Sequence, residues 1–239
     1  MKTANFSRRN LIKLGAIATG TATLAATVGR ASNALSQTVA QTPPPKVSDN
    51  VTPDDALKSL MAGNQRFISQ KQQKLNQDFV RIKQVANDQK PFAAIVSCAD
   101  SRVPVEILFD RGFGELFVVR QAGNIVTPEE TGSIEFGTLV LGAKVLMVLG
   151  HERCGAVKAT IQGNSVPGQI GSILEAIKPA VDKAKGLPGN ELENTTKANV
   201  LHQVETLKAS PVISQLIQEG KLKVVGAYYD LDTAAVTLL

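Results

Sequence analysis

The sequence has few of the residues that usually carry metal or redox chemistry, and it has no tryptophan. Its 239 residues include only two cysteines and two histidines. The cysteines, Cys98 and Cys154, lie far from the N-terminus. This excludes a lipoprotein anchor, which needs a cysteine next to the cleavage point of the leader. An apolar fraction of 43% is ordinary for a globular protein, so a disordered chain is excluded as well.

The body of the chain also lacks an excess of positive charge. The net charge is +5, but residues 1–36 hold five basic residues and no acidic one. Without these five, the 26 basic residues fall to 21, against 21 acidic residues. A neutral body does not present the basic patch by which proteins bind nucleic acid, so we expect no nucleic-acid partner.

Residues 1–36 have the layout of an export signal. The charged stretch SRRNLIK (residues 7–13) precedes a mildly apolar run (residues 16–29) and then small residues. The segment resembles twin-arginine signals, in which a serine, two arginines and a variable residue precede apolar residues and a lysine. Leu11 stands where phenylalanine is commoner. The resemblance implies passage through the twin-arginine translocase and a periplasmic location.

The apolar run of this leader is a poor match to a membrane span. Residues 11–29 are rich in glycine, alanine and threonine, whereas a span needs ~20 strongly apolar residues. We therefore expect cleavage of the leader, and an uncleaved leader would leave a membrane-anchored form. Residues 37–50 contain three consecutive prolines and are typical of a stiff linker. The folded domain is predicted over residues 51–239.

In this domain, predicted helices alternate with predicted strands. The segment TPDDALKSLMAGNQRFIS (residues 52–69) has the threonine cap, proline and acidic first turn of a helix start. Further helices are predicted over residues 102–110, 128–142, 171–185, 191–210 and 211–220. Strands are predicted over residues 92–97, 116–120, 144–150, 222–230 and 234–239, the last two ending the sheet as an edge hairpin. The pattern indicates an α/β fold with a mainly parallel β-sheet flanked by helices.

Both cysteines follow predicted strands. Cys98 lies directly beyond the first strand, and the stretch GHERCGA puts His151 and Cys154 directly beyond the third. Ligands collect beyond the carboxyl ends of parallel strands, so we expect the three side chains at one edge of the sheet. The spacing of His151 and Cys154 predicts that both lie on one face of a helical turn.

Three kinds of chemistry are open to these cysteines. A disulfide is common between two cysteines of an exported protein, but it requires neither the nearby histidine nor the Asp-x-Arg after Cys98. A phosphatase loop needs an arginine six positions beyond its cysteine, where Pro104 stands. Two thiolates and an imidazole provide three ligands for Zn²⁺ and leave a fourth position for water, as in catalytic zinc sites. We favour zinc over a disulfide or other thiol chemistry.

From about residue 52 to its end, the chain resembles the β-class carbonic anhydrases. The resemblance implies an α/β fold that assembles as a homodimer or a dimer of dimers. It also implies one Zn²⁺ per chain, bound by both cysteines and His151, and reversible hydration of CO2 to bicarbonate and a proton. The resemblance is carried by three motifs: Cys-x-Asp-x-Arg (Cys98, Asp100, Arg102), FVVRQAGN (residues 117–124) and His-x-x-Cys (His151, Cys154).

The resemblance and the chemistry of zinc together suggest roles for the aspartate and the arginine of the first motif. Zinc lowers the pKa of a bound water to ~7 in the best-known case, so that hydroxide is available near neutrality. Asp100 is expected to accept a hydrogen bond from this hydroxide, and Arg102 to pair with Asp100 and keep it off the metal. Alone, the two residues would be interpreted as a helix cap and a surface ion pair. Their place in the motif favours the catalytic roles.

Other positions correspond to substrate contacts in the family. Gln89, nine residues before Cys98, matches a glutamine that hydrogen-bonds substrate in members with an open metal site. The residues that match the lining of the apolar CO2 pocket are Phe117, Ala122 and Gly123. Phe136 replaces a tyrosine that is often found there.

A second subtype of the family, in which the aspartate binds zinc, carries a tryptophan three residues before its cysteine. Ile95 takes that position here, so we expect the open subtype. Two other functions fit the same residues. One is a zinc hydrolase of the same fold that acts on CS2 or COS, and the other is a non-catalytic zinc-binding or thiol-redox protein.

Overall fold

The computed structural model describes residues 51–239. The predicted leader (1–36) and linker (37–50) lie outside these residues. Within the described part of the chain, no helix is both long enough and apolar enough to cross a membrane.

A five-stranded sheet runs through the domain in the order β2-β1-β3-β4-β5. The pairs β1/β2, β1/β3 and β3/β4 are parallel, and β4 and β5 pair antiparallel at the edge. This confirms the predicted α/β fold with a mainly parallel sheet. The strands are β1 (Ala93–Ser97), β2 (Leu116–Arg120), β3 (Val145–His151), β4 (Lys223–Tyr229) and β5 (Val236–Leu238).

Helices cover both faces of this sheet. For this reason every residue of β1 and β3 is buried, and both strands consist almost entirely of apolar residues. The eight helices described are α1 (Pro53–Ile68), α2 (Phe79–Val85), α3 (Val105–Leu108), α4 (Pro128–Glu135), α5 (Gly155–Gln162), α6 (Ile170–Ala184), α7 (Glu191–Lys208) and α8 (Pro211–Gln218).

The two faces have separate cores. One core joins Leu60 of α1 and Phe109 to the side chains of Ile95 and Met147. The other joins Val200 of α7 and Ile213, with the adjacent leucines and valines of α8 and β4, to the opposite side of the sheet. Because strand side chains alternate between faces, each buried strand contributes to both cores.

The predicted helix starts carry their expected caps. Thr52 accepts a hydrogen bond from the backbone N–H of Asp55 at the start of α1, and Ser210 accepts one from the N–H of Ile213 at the start of α8. At α4, Thr127 and Glu130 form a reciprocal capping box.

Three local predictions were incomplete. Residues 102–110 contain only the four-residue helix α3, because the turn that follows Cys98 takes up the first part of the segment. The predicted helix over 128–142 divides into α4 and a π-helical turn at Phe136–Val140. Helices α2 and α5 were not predicted. None of the residues of α2 is buried, and Val157 is the buried residue of α5.

Candidate metal centre

Three buried ligand atoms converge at the carboxyl edge of the sheet. The Sγ atoms of Cys98 and Cys154 and a ring nitrogen of His151 all lie within 4.8 Å of one another. Cys98 is 5% exposed and the other two residues are fully buried. Ile125, Val157 and other apolar side chains of a small third core surround the thiols. Apolar side chains therefore exclude water from the protein side of the site, and two of its three donor atoms are thiol sulfurs, which are soft ligands.

The strands bring the ligands together. Cys98 directly follows β1, and His151 is the last residue of the adjacent parallel strand β3. Cys154 is the cap residue of α5. The predicted helical turn from His151 to Cys154 is wrong: a tight turn joins them, in which Arg153 has the left-handed φ of 52°. The two side chains still converge, because this turn reverses the chain directly at the sheet edge.

The donor set fits a zinc ion. With Zn–S bonds of ~2.3 Å and tetrahedral angles, ligand atoms lie ~3.8 Å apart, within the separation observed. The Nδ1 atom of His151 lies 2.9 Å from the carbonyl oxygen of Glu152 and donates its hydrogen there. Nε2 then carries the lone pair, and it is buried without a hydrogen-bond partner among the described residues. A cation in this position would satisfy Nε2.

The state of the two thiols is also compatible with binding of a cation. Both cysteines are free. The thiol of Cys154 donates a hydrogen bond that lowers the pKa of Cys98, against the opposing effect of burial, and the same contact together with burial raises the pKa of Cys154. Because thiolates are the ligands, binding of a cation would release any proton that the thiols still carry.

Asp100 lies beside the ligands and is held by a single arginine. The Oδ1 atom of Asp100 accepts hydrogen bonds from the backbone N–H and the Nε of Arg102, at 2.9 and 3.0 Å, and Oδ2 accepts one from Nη2 at 2.8 Å. The hydrogen bond from Arg102 lowers the pKa of Asp100 well below its usual range. Oδ2 lies 3.8 Å from Nε2 of His151. An ionised carboxylate is therefore fixed next to the proposed zinc position.

Arg120, which was not among the predicted site residues, binds the backbone of the same loop. It ends β2, next to β1, and its Nε donates to the carbonyl oxygen of Cys98 at 3.1 Å while Nη2 donates to that of Asp100 at 2.5 Å. The sequence places an arginine at the end of a predicted strand, which was an available signal for a residue near the site. Its two hydrogen-bond acceptors are backbone carbonyl oxygens, however, and no sequence pattern identifies such acceptors.

Gly123 contacts the metal centre through its backbone. Its N–H donates to Sγ of Cys98 at 3.2 Å, and its φ is 70°. This left-handed φ favours glycine, and a Cβ at this position would lie 2.6 Å from the end of the Ile177 side chain, which would have to move. Ala122 precedes it in the same short turn.

The remaining predicted residues lie elsewhere in the chain. Gln89 lines a cavity of about 290 Å³ before the start of β1, and the whole of that strand, whose five residues span roughly 16 Å, lies between it and Cys98 in the chain. Phe117 lies near the start of β2 and packs against Phe136, with ring centroids 6.5 Å apart. A single chain thus brings together the three metal ligands, Asp100, Arg102, Ala122 and Gly123, and does not bring Gln89 or Phe117 to them.

Two thiols, one imidazole and a restrained carboxylate on a parallel sheet define a class of zinc proteins with one open ligand position. Comparisons with known proteins agree. A family model described as carbonic anhydrase matches residues 93–236. Carbonic anhydrase 2 of Mycobacterium tuberculosis is 37% identical over 194 residues, covering 79% of this chain and 94% of that protein. The chain belongs to the carbonic anhydrase family.

Solved structures specify the class. The β-carbonic anhydrase of Coccomyxa, in complex with acetazolamide, is 28% identical with a TM-score of 0.61, covering 77% of this chain and 86% of that one. A tetrameric β-carbonic anhydrase of Sordaria macrospora shares the fold at 22% identity with a TM-score of 0.63, covering 77% of this chain and 97% of that one. Within its family, this chain is of the β class, whose members are zinc enzymes.

Proposed function

We propose that this chain catalyses the reversible hydration of CO2 to bicarbonate and a proton, with one zinc ion per chain. The observation that carries the proposal is the convergence of the buried Cys98, His151 and Cys154 beside the restrained carboxylate of Asp100. These three residues would hold the ion through Sγ, Nε2 and Sγ. Zinc held in this way supplies a Lewis acid that ionises water near neutral pH.

The hydrogen bonds of Asp100 give it a specific role. A carboxylate oxygen has about two acceptor positions. Arg102 fills both positions of Oδ1 and one position of Oδ2. The remaining position of Oδ2, on the atom nearest His151, is the acceptor for the hydroxyl hydrogen of the nucleophile and of bicarbonate. Because the carboxylate stays ionised, it selects a protonated oxygen as its partner and orients the lone pair of that oxygen toward CO2.

Arg102 serves this geometry in two ways. Its fork holds both oxygens of Asp100, which fixes the plane of the carboxylate. The same ion pair would keep Asp100 from ligating a bound metal ion and so would leave one ligand position open for the reaction. Half of the Arg102 side chain is exposed, so the pair lies at the mouth of the site.

We also propose that Gln89, Phe117, Ala122 and Gly123 contact substrate, the last two within the same chain. Gln89 and Phe117 reach a metal centre only through a second copy, so their role requires a homodimer or a dimer of dimers. Large exposed apolar side chains support such an assembly, and one of them, Val140, lines the cavity of Gln89. Those most exposed among the described residues are Phe79, Val80, Leu139 and Val140. Light scattering coupled to size-exclusion chromatography would measure the assembly.

For residues 1–36 we propose a twin-arginine signal that delivers the protein to the periplasm through the translocase. This route carries folded proteins, so the thiols can bind zinc in the reducing cytoplasm before they meet an oxidising compartment. N-terminal sequencing of the periplasmic protein would locate the cleavage site. Periplasmic delivery that persists after Arg8→Lys and Arg9→Lys together would contradict this route.

Stopped-flow CO2 hydration with metal analysis on the same sample tests the enzymatic proposal. We expect about one zinc per chain and rapid turnover. Turnover of CS2 or COS without CO2 hydration would instead assign the hydrolase function. Zinc without turnover of any of the three, or a disulfide between the cysteines without zinc, would assign a non-catalytic or thiol-redox protein.

A further inference from the structure

A chain of buried amides connects helix α7 to the ligand Cys98. The N–H of Gly123 donates to Sγ of Cys98 at 3.2 Å, and the carbonyl oxygen of Gly123 accepts a hydrogen bond from Nδ2 of Asn199 at 2.8 Å. Oδ1 of Asn199 in turn accepts from Nε2 of Gln203 at 3.1 Å, and Oε1 of Gln203 accepts from the N–H of Val126 at 3.1 Å. The connection begins 76 residues from the glycine it reaches.

These amides lie where apolar residues would be expected. Asn199 is fully buried and Gln203 is 2% exposed, on the face of α7 that also carries the core residue Val200. Burying an amide is favourable only when its hydrogen bonds are made. Asn199 and Gln203 therefore lie on consecutive turns of α7, and their hydrogen bonds reach the segment of Gly123 and Val126 next to the metal centre.

Asn199 binds the residue of this segment whose backbone has the greatest conformational freedom, Gly123. Gly123 has no side chain, and its φ of 70° lies in the left-handed region. Its N–H and its carbonyl belong to successive peptide units, so a bond on each fixes both φ and ψ of the glycine. With the carbonyl held by Asn199, the N–H stays directed at the sulfur. An N–H donor at a thiolate stabilises its negative charge and orients it as a ligand.

We infer that Asn199, supported by Gln203, is a positioning residue for the metal centre, which holds Gly123 so that its N–H donates to the Cys98 thiolate. The inference rests on the proposed zinc ligation by Cys98. It assigns to α7, which supplies no ligand, control over the affinity and electronic character of the site.

The test compares Asn199→Leu with Thr196→Val in the 239-residue chain. Thr196 is a matched control because it is fully buried on the same helix and its hydroxyl donates only to the carbonyl of Leu192, away from the connection. Competition with a chromophoric chelator should show Zn²⁺ binding by Asn199→Leu weakened by about 10–100-fold. Thr196→Val should bind as the wild type does.

Cobalt substitution provides the second readout. Loss of the N–H donor raises the energy of the sulfur lone pairs, so the sulfur-to-cobalt charge-transfer band of Asn199→Leu should move to longer wavelength. Gln203→Leu, which leaves Asn199 in place but unsupported, should change affinity and band in the same direction by less. If Asn199→Leu does not fold, as judged by circular dichroism, the Gln203→Leu comparison decides.

Each outcome separates the inference from the function on which it rests. A wild-type chain that binds neither Zn²⁺ nor Co²⁺ would contradict the proposed function. A wild type that binds both, with unchanged affinity and band position in the folded variants, would overturn the role of Asn199. Equal losses in Asn199→Leu and Thr196→Val would also overturn it, because they would indicate a general effect of disturbing α7.

Discussion

Two aspartate–arginine pairs in this protein have similar chemistry and different surroundings. Asp100 receives all three of its side-chain hydrogen bonds from Arg102, two residues away, and its partner is half exposed. Asp110 is almost completely buried, and it binds Nε of Arg66 at 2.6 Å and the backbone N–H groups of Gln73 and Lys74, both at 3.0 Å. The first pair joins neighbours in the chain, and the second joins three separate segments.

The pKa of each aspartate is lowered, for different reasons. At Asp100 the largest cause is the side-chain hydrogen bond from Arg102. At Asp110 the largest single effect is burial, which raises the pKa, and the bonds from Gln73, Arg66 and Lys74 together outweigh it. Each carboxylate accepts three hydrogen bonds, but Asp110 is enclosed by the fold, whereas the remaining acceptor position of Asp100 is on Oδ2, 3.8 Å from Nε2 of His151. The comparison indicates that Asp100 serves chemistry and Asp110 serves stability.

Zinc removal should have the largest effect at the metal centre, near Asp100, and no effect around Asp110. A chelator that strips the metal should abolish CO2 hydration and make the thiols of Cys98 and Cys154 reactive toward a thiol reagent, and added Zn²⁺ should restore both properties. Hydrogen exchange at the N–H groups of Gln73 and Lys74 should stay slow, because Asp110 is not connected to the centre. Turnover that survives complete removal of zinc would contradict the proposed function.

Asp100→Asn should cause the next largest effect. Loss of the ionised acceptor at Oδ2 should lower kcat/KM for CO2 hydration by about 10²–10⁴-fold, the range for a group that handles a proton in catalysis. Zinc content and the midpoint of thermal unfolding should match the wild type. Activity equal to that of the wild type, in a sample with full zinc content, would show that Asp100 is not required.

Asp110→Asn should produce the opposite pattern. The free energy of unfolding in urea at neutral pH should fall by about 3 kcal/mol, because the variant removes the charge that pairs with Arg66 and replaces one buried acceptor oxygen by an N–H donor. Turnover per folded molecule should be unchanged. A strong loss of turnover in the folded, zinc-loaded variant would remove the distinction between the two pairs.

The pH dependence of stability provides a further check on Asp110. Since its pKa is lower in the folded protein than in the unfolded chain, the carboxylate stabilises the fold above the unfolded value of about 4. This stabilisation is lost as the pH falls through the folded pKa. The difference in unfolding free energy between wild type and Asp110→Asn should therefore shrink as the pH is lowered. A difference that stays constant down to strongly acidic pH would contradict the assignment.

Arg102→Lys should cause the smallest effect. Lysine keeps the charge but cannot hold both oxygens of Asp100 in one plane, so kcat/KM should fall by about tenfold while stability is unchanged. Arg66→Lys is the matched substitution in the other pair, and it should lower stability without affecting kcat/KM. The reverse assignment of these two effects would reverse our interpretation of the pairs.

Features of the metal centre that depend on neighbouring residues could be predicted from the sequence. The buried strands β1 and β3 follow from short apolar runs, and their parallel pairing brings Cys98 and His151 to one edge. Asp100 and Arg102 are close in space because they are close in the chain. The conformation between His151 and Cys154 was predicted incorrectly, because three-residue spacing favours a helical turn and does not reveal the left-handed Arg153.

Features that depend on distant segments could not be predicted. Asn199 reaches Gly123 across 76 positions, and Asp110 reaches Arg66 across 44. No periodicity or motif in the sequence indicates that residues at these separations are in contact. Gln89 matched a family position, but only the fold shows that β1 separates it from the metal ligands of its own chain.

The sequence by itself determined the donor types, the order of the strands and of most helices, and the local pairing of Asp100 with Arg102, because apolar periodicity and short spacing act within a few residues. Only the tertiary structure decided which buried polar groups on α7 support the Cys98 ligand and which aspartate maintains the fold. Those choices depend on how the helices pack on the sheet, since burial makes each unsatisfied polar group costly and so selects partners that are distant in the chain.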